Sequence, residues 1–182
     1  MNRTEKFVLL ATLLLTVHVG GRAIAQEAEP IIATSPDVQT EIEEGLAAFN
    51  SGDVIGAMGH YRRAADAGST EAMVRLAWIL DQSEDNAGAL RLYSEAADAG
   101  DPAGQFGLAE LYANGEGVKR DVRYAVKLFE AAAANGHTRA MRVLASAYEE
   151  GGLGVVPSVE QAEYWRKKLA AEEQLEISER AR

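Results

Sequence analysis

The sequence predicts an all-α solenoid of about four helical-hairpin repeats. Three alanine-rich segments end in Gly68, Gly100 and Gly136, so these glycines lie 32 and then 36 residues apart. A repeat of this length is typical of stacked helical hairpins, because one hairpin cannot bury its apolar face alone. Small and apolar residues at helical spacing within the repeats, and turn residues between them, support the same fold. A solenoid offers a long groove rather than a deep pocket, which favours macromolecular binding over catalysis.

The first 25 residues are predicted to be a cleavable signal peptide. Basic residues precede an apolar run at 7–19, and a small-x-small site at 23–25 would allow cleavage before Gln26. An uncleaved membrane anchor is the alternative, but the run is shorter than the roughly 20 residues that span a bilayer. Residues 26–40 follow as a lead that is predicted to be flexible. The mature protein is therefore expected to be periplasmic or secreted, with no membrane insertion after cleavage.

The charge of the chain restricts its partners. There are 18 basic and 28 acidic residues, a formal net charge of −10. Removal of residues 1–25 leaves 15 basic against 27 acidic residues, a formal charge of −12. Nucleic acid and anionic lipid are poor partners for such a surface, because binding to phosphates depends on clustered lysine and arginine. A basic partner, or simple solubility, explains the charge better. The chain contains no cysteine, which excludes thiol redox chemistry.

Each repeat is predicted to form two antiparallel helices, A and then B. The core positions of the A helices are Ala72, Leu76, Ala77 and Leu80 in the second repeat, Gly104, Leu108, Ala109 and Tyr112 in the third, and Ala140, Leu144, Ala145 and Tyr148 in the fourth. Those of the B helices are Ala57 and Tyr61, Ala89 and Tyr93, and Ala125 and Phe129. Small residues let neighbouring helices approach closely, and the aromatic residues fill the space between hairpins. Trp165 takes an equivalent hydrophobic place in the last B helix and is predicted to be core.

The turns contain residues that end one helix and begin the next. The recurrent glycine favours the left-handed conformation in which many helices end. The predicted caps are Ser69 or Thr70, Asp101 followed by Pro102, and Thr138 for the A helices, and Asp121 and Ser158 for the B helices. Glycine-rich loops at 114–121 and 151–158 join the A and B helices of the later repeats. A phosphate-binding loop is the alternative there, but no Gly-Lys-Ser/Thr sequence follows.

The first A helix is predicted to be an atypical terminal cap of the array. Glu44 stands where the core leucine is expected, and Ile42, Leu46 and Phe49 form a different stripe. Terminal repeats commonly depart from the inner ones in this way.

The chain from residue 169 to 182 is predicted to contain the end of the last helix and a charged tail. The run at 172–180 would prolong the last B helix, and its Leu175 would cover the open end of the stack. The alternative is a frayed charged segment. Lys167 and Lys168 are expected near the end of that helix, where a positive charge interacts favourably with the helix dipole.

Two motifs in the third repeat are specific enough to indicate a family. They are Tyr112-x-x-Gly115-x-Gly117-Val118-x-x-Asp121 and Ala125-x-x-Leu128-Phe129-x-x-Ala132-Ala133-x-x-Gly136. This pattern resembles the Sel1-like repeat (SLR), a relative of the tetratricopeptide repeat, and the fourth repeat follows it with Ala162-x-x-Trp165. The resemblance covers residues 41–168, with repeats at about 41–68, 69–100, 101–136 and 137–171. The second repeat departs from the pattern because residues 81–85 replace the glycine loop, and the first resembles a plain tetratricopeptide unit.

The resemblance implies a right-handed α-α superhelix of the exported bacterial type, which scaffolds protein assemblies or regulates signalling in the envelope. In related superhelices the A helices line the concave wall. Their register gives a set of candidate partner-binding residues: Glu71, Val74, Trp78, Phe106, Glu110, Arg139 and Arg142. Trp78 leads this set because tryptophan and arginine dominate many binding surfaces, although a core role is its alternative. Such a groove would suit an extended segment with an acidic or carboxylate group.

The predicted function is therefore a non-enzymatic protein–protein interaction scaffold or regulator in the bacterial envelope, binding a partner protein or peptide in the concave groove. No catalytic residue, cofactor site or metal site is predicted. The mature chain keeps only His60 and His137, without the spacing of metal ligands, and His137 is interpreted as a turn residue. The sequence also has no Ser-x-x-Lys nucleophile motif. The alternatives are an enzyme or accessory subunit acting on cell-wall or polysaccharide material, and a purely architectural protein that self-associates through its ends.

Overall fold

Four helical hairpins stack along the chain in the computed structural model, which describes residues 37–180. In this part the chain forms eight α-helices and no strand, which confirms the all-α prediction. The helices are α1 (Val38–Asn50), α2 (Val54–Asp66), α3 (Thr70–Gln82), α4 (Asn86–Asp98), α5 (Pro102–Asn114), α6 (Val122–Ala134), α7 (Thr138–Glu150) and α8 (Val159–Arg180), with a 3-10 turn at Gly152–Gly154 before α8. The predicted signal peptide at 1–25 and most of the predicted lead lie outside the described residues.

The helices pack mainly against their neighbours in sequence, and the A helices α3 and α5 also contact each other. Odd-numbered helices are therefore the A helices and even-numbered helices the B helices. None of the described helices has the length and hydropathy of a segment that spans a bilayer. Helix α1 begins at Val38, so the chain becomes helical slightly before residue 41, where the repeat region was predicted to start.

The core follows the predicted stripes closely. In the A helices every predicted core residue is buried except Tyr112 and Tyr148, which are partly buried. The predicted alanine and aromatic positions of the B helices are all buried, as is Trp165. Burial of alanine at each B-helix contact lets the helix backbones approach, and the aromatic ring that follows one turn later fills the remaining gap.

The capping prediction is largely confirmed. The helix-ending glycines Gly68, Gly100 and Gly136 have φ values of 94°, 84° and 89°, in the left-handed region that other residues avoid. The N-terminal caps with a side-chain hydrogen bond are Asp53, Ser69, Asp85, Asp101, Asp121, His137 and Ser158. Thr138 was the wrong choice for α7. It is the first helical residue, because the extended residue that follows Gly136 is His137.

Both ends of the array differ from the prediction. The first helix buries a different set of residues, and the last helix leaves Leu175 exposed. In α1 the buried residues are Glu41, Ile42 and Gly45, while Leu46 is exposed, so the predicted stripe is only partly correct. The last helix does extend to Arg180, as predicted. However, Leu175 is 57% exposed and is not part of the core.

The length of α8 also changes the role of two lysines. Lys167 and Lys168 lie in the middle of the helix rather than near its end, so the predicted interaction with the dipole is wrong. The effect of the dipole falls off within the last turn. Lys168 instead places its ammonium group 5.7 Å from the ring centroid of Tyr164.

Candidate functional site

A groove of about 1080 Å³ runs along the A helices. Its walls come from α1, α3 and α5, and one end reaches the start of α7. This volume is at the upper limit of the roughly 300–1,000 Å³ typical of small-molecule pockets, so the groove has room for several residues of an extended chain. The A helices were predicted to line the binding surface, and the groove lies on their side of the hairpins.

Five of the seven predicted partner-binding residues line this groove: Val74, Trp78, Phe106, Glu110 and Arg139. Trp78 is 47% exposed, and its ring meets the ring of Phe49 edge to face at a centroid distance of 5.7 Å. The A-helix register therefore brings most of the candidates together on one surface.

The other two predicted residues, Glu71 and Arg142, do not line the groove. Glu71 accepts a hydrogen bond of 2.8 Å from Arg75 Nη2, and it is Arg75 that reaches the groove. Arg142 donates from Nη2 to Glu173 Oε1 of α8 at 3.2 Å. Long side chains can turn towards the nearest opposite charge, and both residues do so here.

A stacked aromatic group forms the end of the groove near α7. The ring of Phe106 is almost fully buried and lies on the ring of His137 at a centroid distance of 4.5 Å and an interplanar angle of 25°. The ring of Phe106 also contacts the ring of Phe129, at a centroid distance of 5.5 Å, and the guanidinium carbon of Arg139 lies 4.7 Å from the centroid of Phe106. Phe106 therefore builds the wall of the groove and offers little surface to a partner.

His137 stacks on Phe106 and also caps α7. Its Nδ1 accepts a hydrogen bond of 3.2 Å from the backbone N–H of Ala140 and so caps α7. Burial lowers the pKa of His137, and the nearby Arg139 lowers it further. A neutral ring is what the cap requires, because only an unprotonated nitrogen can accept a hydrogen bond.

Three carboxylates that line the groove influence one another's pKa values. Burial raises the pKa of Asp81, and the negative charge of Glu116 raises it further. Burial likewise raises the pKa of Glu110. Arg139 opposes this shift, whereas Asp81 and Glu116 add to it. The three carboxylates are therefore close enough to repel one another in a partly desolvated place, and we name Asp81, Glu110 and Glu116 the acidic cluster.

The family model of the Sel1 repeat matches residues 51–69, 70–101, 102–137 and 138–173. The chain belongs to the Sel1 repeat family. Helix α1 precedes the matched residues, in agreement with its different register. No curated protein matches the chain in sequence.

Solved structures support this assignment. A Sel1 repeat protein from Oxalobacter formigenes is 28% identical, with a TM-score of 0.70 over 73% of this chain. The match spans only 56% of that protein's length. A sel1 repeat protein from Klebsiella pneumoniae subsp. pneumoniae is 22% identical, with a TM-score of 0.60 over 75% of this chain and 68% of that one. MamA is 20% identical, with a TM-score of 0.53 over 80% and 84% of the two chains, and like the Klebsiella protein it shows the fold alone.

Several groove residues of this Sel1 repeat protein were not predicted as candidates. Asp81, in the last turn of α3, and Glu84 belong to the segment 81–85 that replaces the glycine loop of the later repeats, and this departure was the signal that could have identified them. Glu116 lies within a glycine loop. Tyr61 and Tyr93 were assigned to the core, which is correct for their rings, but both also line the groove.

A second cluster, Glu41, Glu44 and His60, lies between α1 and α2 outside the groove. One ligand atom from each of the three lies within 4.8 Å of the others. However, Arg63 Nε donates to Glu41 Oε1 at 2.8 Å, and this hydrogen bond lowers the pKa of Glu41 more than any other interaction does. A guanidinium in this place repels a metal cation. We therefore assign the cluster a structural role in joining the first hairpin.

Proposed function

We propose that this protein is a non-enzymatic interaction scaffold or regulator of the bacterial envelope, and that it binds an extended segment of a partner protein in the A-helix groove. Membership of the Sel1 repeat family supports the general role, because Sel1 repeats mediate protein interactions. The envelope location rests on the predicted signal peptide at 1–25. The assignment of the groove as the binding site rests on the exposed and polar side chains that line it.

The observation that carries the proposal is the exposure of Trp78 in the groove. A tryptophan that is 47% exposed keeps a large apolar area in water, and such residues are among the commonest energetic centres of protein interfaces. Amide side chains also line the groove, namely those of Asn50, Gln82 and Asn86. An amide can both donate to and accept from the backbone of an extended segment. The combination suits a peptide better than a compact apolar ligand.

The acidic cluster gives the enzymatic alternative a specific basis. Carboxylates with raised pKa values act as general acids in glycoside hydrolysis, and aromatic residues often lie beside sugar-binding sites. The two functions differ in one observable: the purified protein would turn over cell-wall or polysaccharide fragments only if the alternative were correct.

Replacement of Trp78 by alanine should weaken partner binding by about tenfold or more, because a central aromatic contact contributes roughly 2 kcal/mol. The measurement is the recovery of the cross-linked partner from living cells that express the full chain with a C-terminal affinity tag. Tyr164→Ala is the matched control. Tyr164 is 46% exposed, almost the same as Trp78, but lies on α8 outside the groove.

The control should retain its partner, while Trp78→Ala loses it at unchanged helical content. Equal recovery with both variants would move the binding site away from the groove. Loss with both would show that exposed aromatic residues in general, rather than the groove, hold the partner.

A further inference from the structure

We propose that the groove recognises a cationic side chain, a lysine or arginine on the extended partner segment, and that the acidic cluster receives it. This inference rests on the proposed function and specifies the chemistry of the partner. It reverses the expectation of an acidic partner that followed from the arginines of the A helices.

Negative charge predominates in the groove. Four carboxylates line it, those of Asp81, Glu84, Glu110 and Glu116, against two guanidinium groups. Both guanidinium groups are already engaged. Arg75 holds Glu71 at 2.8 Å, and Arg139 lies over the ring of Phe106. The groove therefore carries an excess of negative charge, which Arg139 offsets only in part.

A pair of buried tyrosine side chains also lines the groove. Tyr61 and Tyr93 are more than nine-tenths buried, and both line the groove. Neither hydroxyl makes a hydrogen bond to any residue between 37 and 180, whereas Tyr148 donates its hydroxyl hydrogen to Glu130 Oε1 at 3.2 Å. Neither tyrosine oxygen is fully enclosed. A tyrosine oxygen can accept a hydrogen bond from an ammonium or guanidinium group.

The place of the Tyr93 hydroxyl depends on Gly107 in α5. A Cβ at Gly107 would lie 2.3 Å from Cε1 of Tyr93 and 2.6 Å from its Cζ. The ring therefore occupies the space that any other residue would fill, and it passes α5 to reach the groove. The negative charges of Asp81 and Glu110 both raise the pKa of Tyr93, in addition to the effect of its burial, so the hydroxyl lies near the acidic cluster.

The backbone of Glu84 has an unusual conformation. It adopts a φ of 63°, in the left-handed region, where the corresponding turn of the first hairpin has Gly52 with a φ of 87°. This conformation is unfavourable for a residue with a Cβ, and glycine would relieve the strain. A glutamate here places one more carboxylate at the edge of the groove.

The neighbouring apolar surface suits the stem of the same side chain. Trp78, Phe49 and Val74 line the groove beside the acidic cluster. Lysine and arginine pack their methylene groups on apolar surfaces while the charged group reaches a polar partner, and tryptophan also attracts cations through its ring. A second copy of this chain is a poor occupant, since two chains that each have a net charge of −10 repel each other.

Peptide libraries with one fixed central residue test the proposal. The full chain with a C-terminal tag is immobilised and exposed to N-acetylated, C-amidated peptides whose flanking positions are randomised among uncharged residues. The central residue is lysine, acetyl-lysine or glutamate. Acetyl-lysine keeps the stem and removes the charge, so it isolates the contribution of the cation.

We expect the lysine library to be retained about tenfold more than the acetyl-lysine library, and the glutamate library not to be retained, because a charge-assisted hydrogen bond is roughly twice as strong as a neutral one. The double variant Asp81→Asn, Glu110→Gln should lose this preference. A matched double variant, Asp66→Asn, Glu163→Gln, removes the same charge at exposed positions outside the groove and should keep it.

Three results would overturn the inference. They are equal retention of the lysine and acetyl-lysine libraries, preferential retention of the glutamate library, and equal loss in both double variants, which would show attraction to the overall charge alone. Absence of any retained peptide would also count against it. The proposed function would survive each of these results if Trp78→Ala still released the cellular partner and Tyr164→Ala did not, so the two proposals fail separately.

Discussion

Replacement of Leu108 by aspartate should unfold the repeat array. Leu108 is 4% exposed and belongs to an apolar cluster between α3, α4 and α5, with Leu80 and Leu92 among its members. The substitution removes a buried leucine, at about 2–5 kcal/mol, and introduces a charge without a partner. Natural domains are stable by only about 5–15 kcal/mol. We expect most of the helical circular dichroism to be lost at 25 °C.

The matched control for this prediction is Leu175→Asp. It makes the same chemical change at a leucine that is 57% exposed on α8, so the melting temperature should stay close to that of the parent. If Leu108→Asp melted at the parent temperature, the assigned core face of the A helices would be wrong.

Replacement of Gly104 by alanine should destabilise the protein, although alanine is the better helix former. A Cβ at Gly104 would lie 2.6 Å from the Cβ of Ala96 and 2.9 Å from the backbone nitrogen of Ala97. The backbone of α4 cannot move aside without disturbing its hairpin, and overpacking of this kind costs about 1–3 kcal/mol. The gain in helix propensity offsets only about 1 kcal/mol of this. The net loss should appear in urea denaturation as a lower midpoint.

The same substitution at Gly59 should have the opposite effect and stabilise the protein. Gly59 is in α2, where a new Cβ would meet only the Nη1 atom of Arg63, at 3.6 Å. The protein should therefore gain up to about 1 kcal/mol, the difference in helix propensity between glycine and alanine. A shift of the two variants in the same direction would contradict the view that close contact of α4 and α5 makes glycine necessary at position 104.

The parts of the fold that repeat were predictable from the sequence. Buried residues such as Leu76, Leu108 and Leu144 recur at equal places because each hairpin packs on the next through the same face. The glycines that end α2, α4 and α6 were predictable for a backbone reason that needs no knowledge of tertiary contacts. The same register placed Trp78 and Glu110 correctly on the groove.

The parts that depend on individual side chains were not predictable. Periodicity gives the face of a helix on which Arg142 lies, but its long side chain turns to Glu173, a residue of a helix whose length the repeat pattern does not set. The acidic cluster combines residues from two helices and a loop, and only the three-dimensional stack brings them together. The open hydroxyl of Tyr93 depends on the missing side chain of Gly107, a pair that lies in different repeats.

Site-specific photo-cross-linking shows whether a partner protein occupies the A-helix groove. A benzophenone amino acid replaces Trp78 in one strain and Tyr164 in another, and both strains are irradiated while the full chain is in its native cell. We predict a cross-linked protein adduct from position 78 and none of the same mass from position 164. An adduct from position 164 alone, or the same adduct from both positions, would contradict the account.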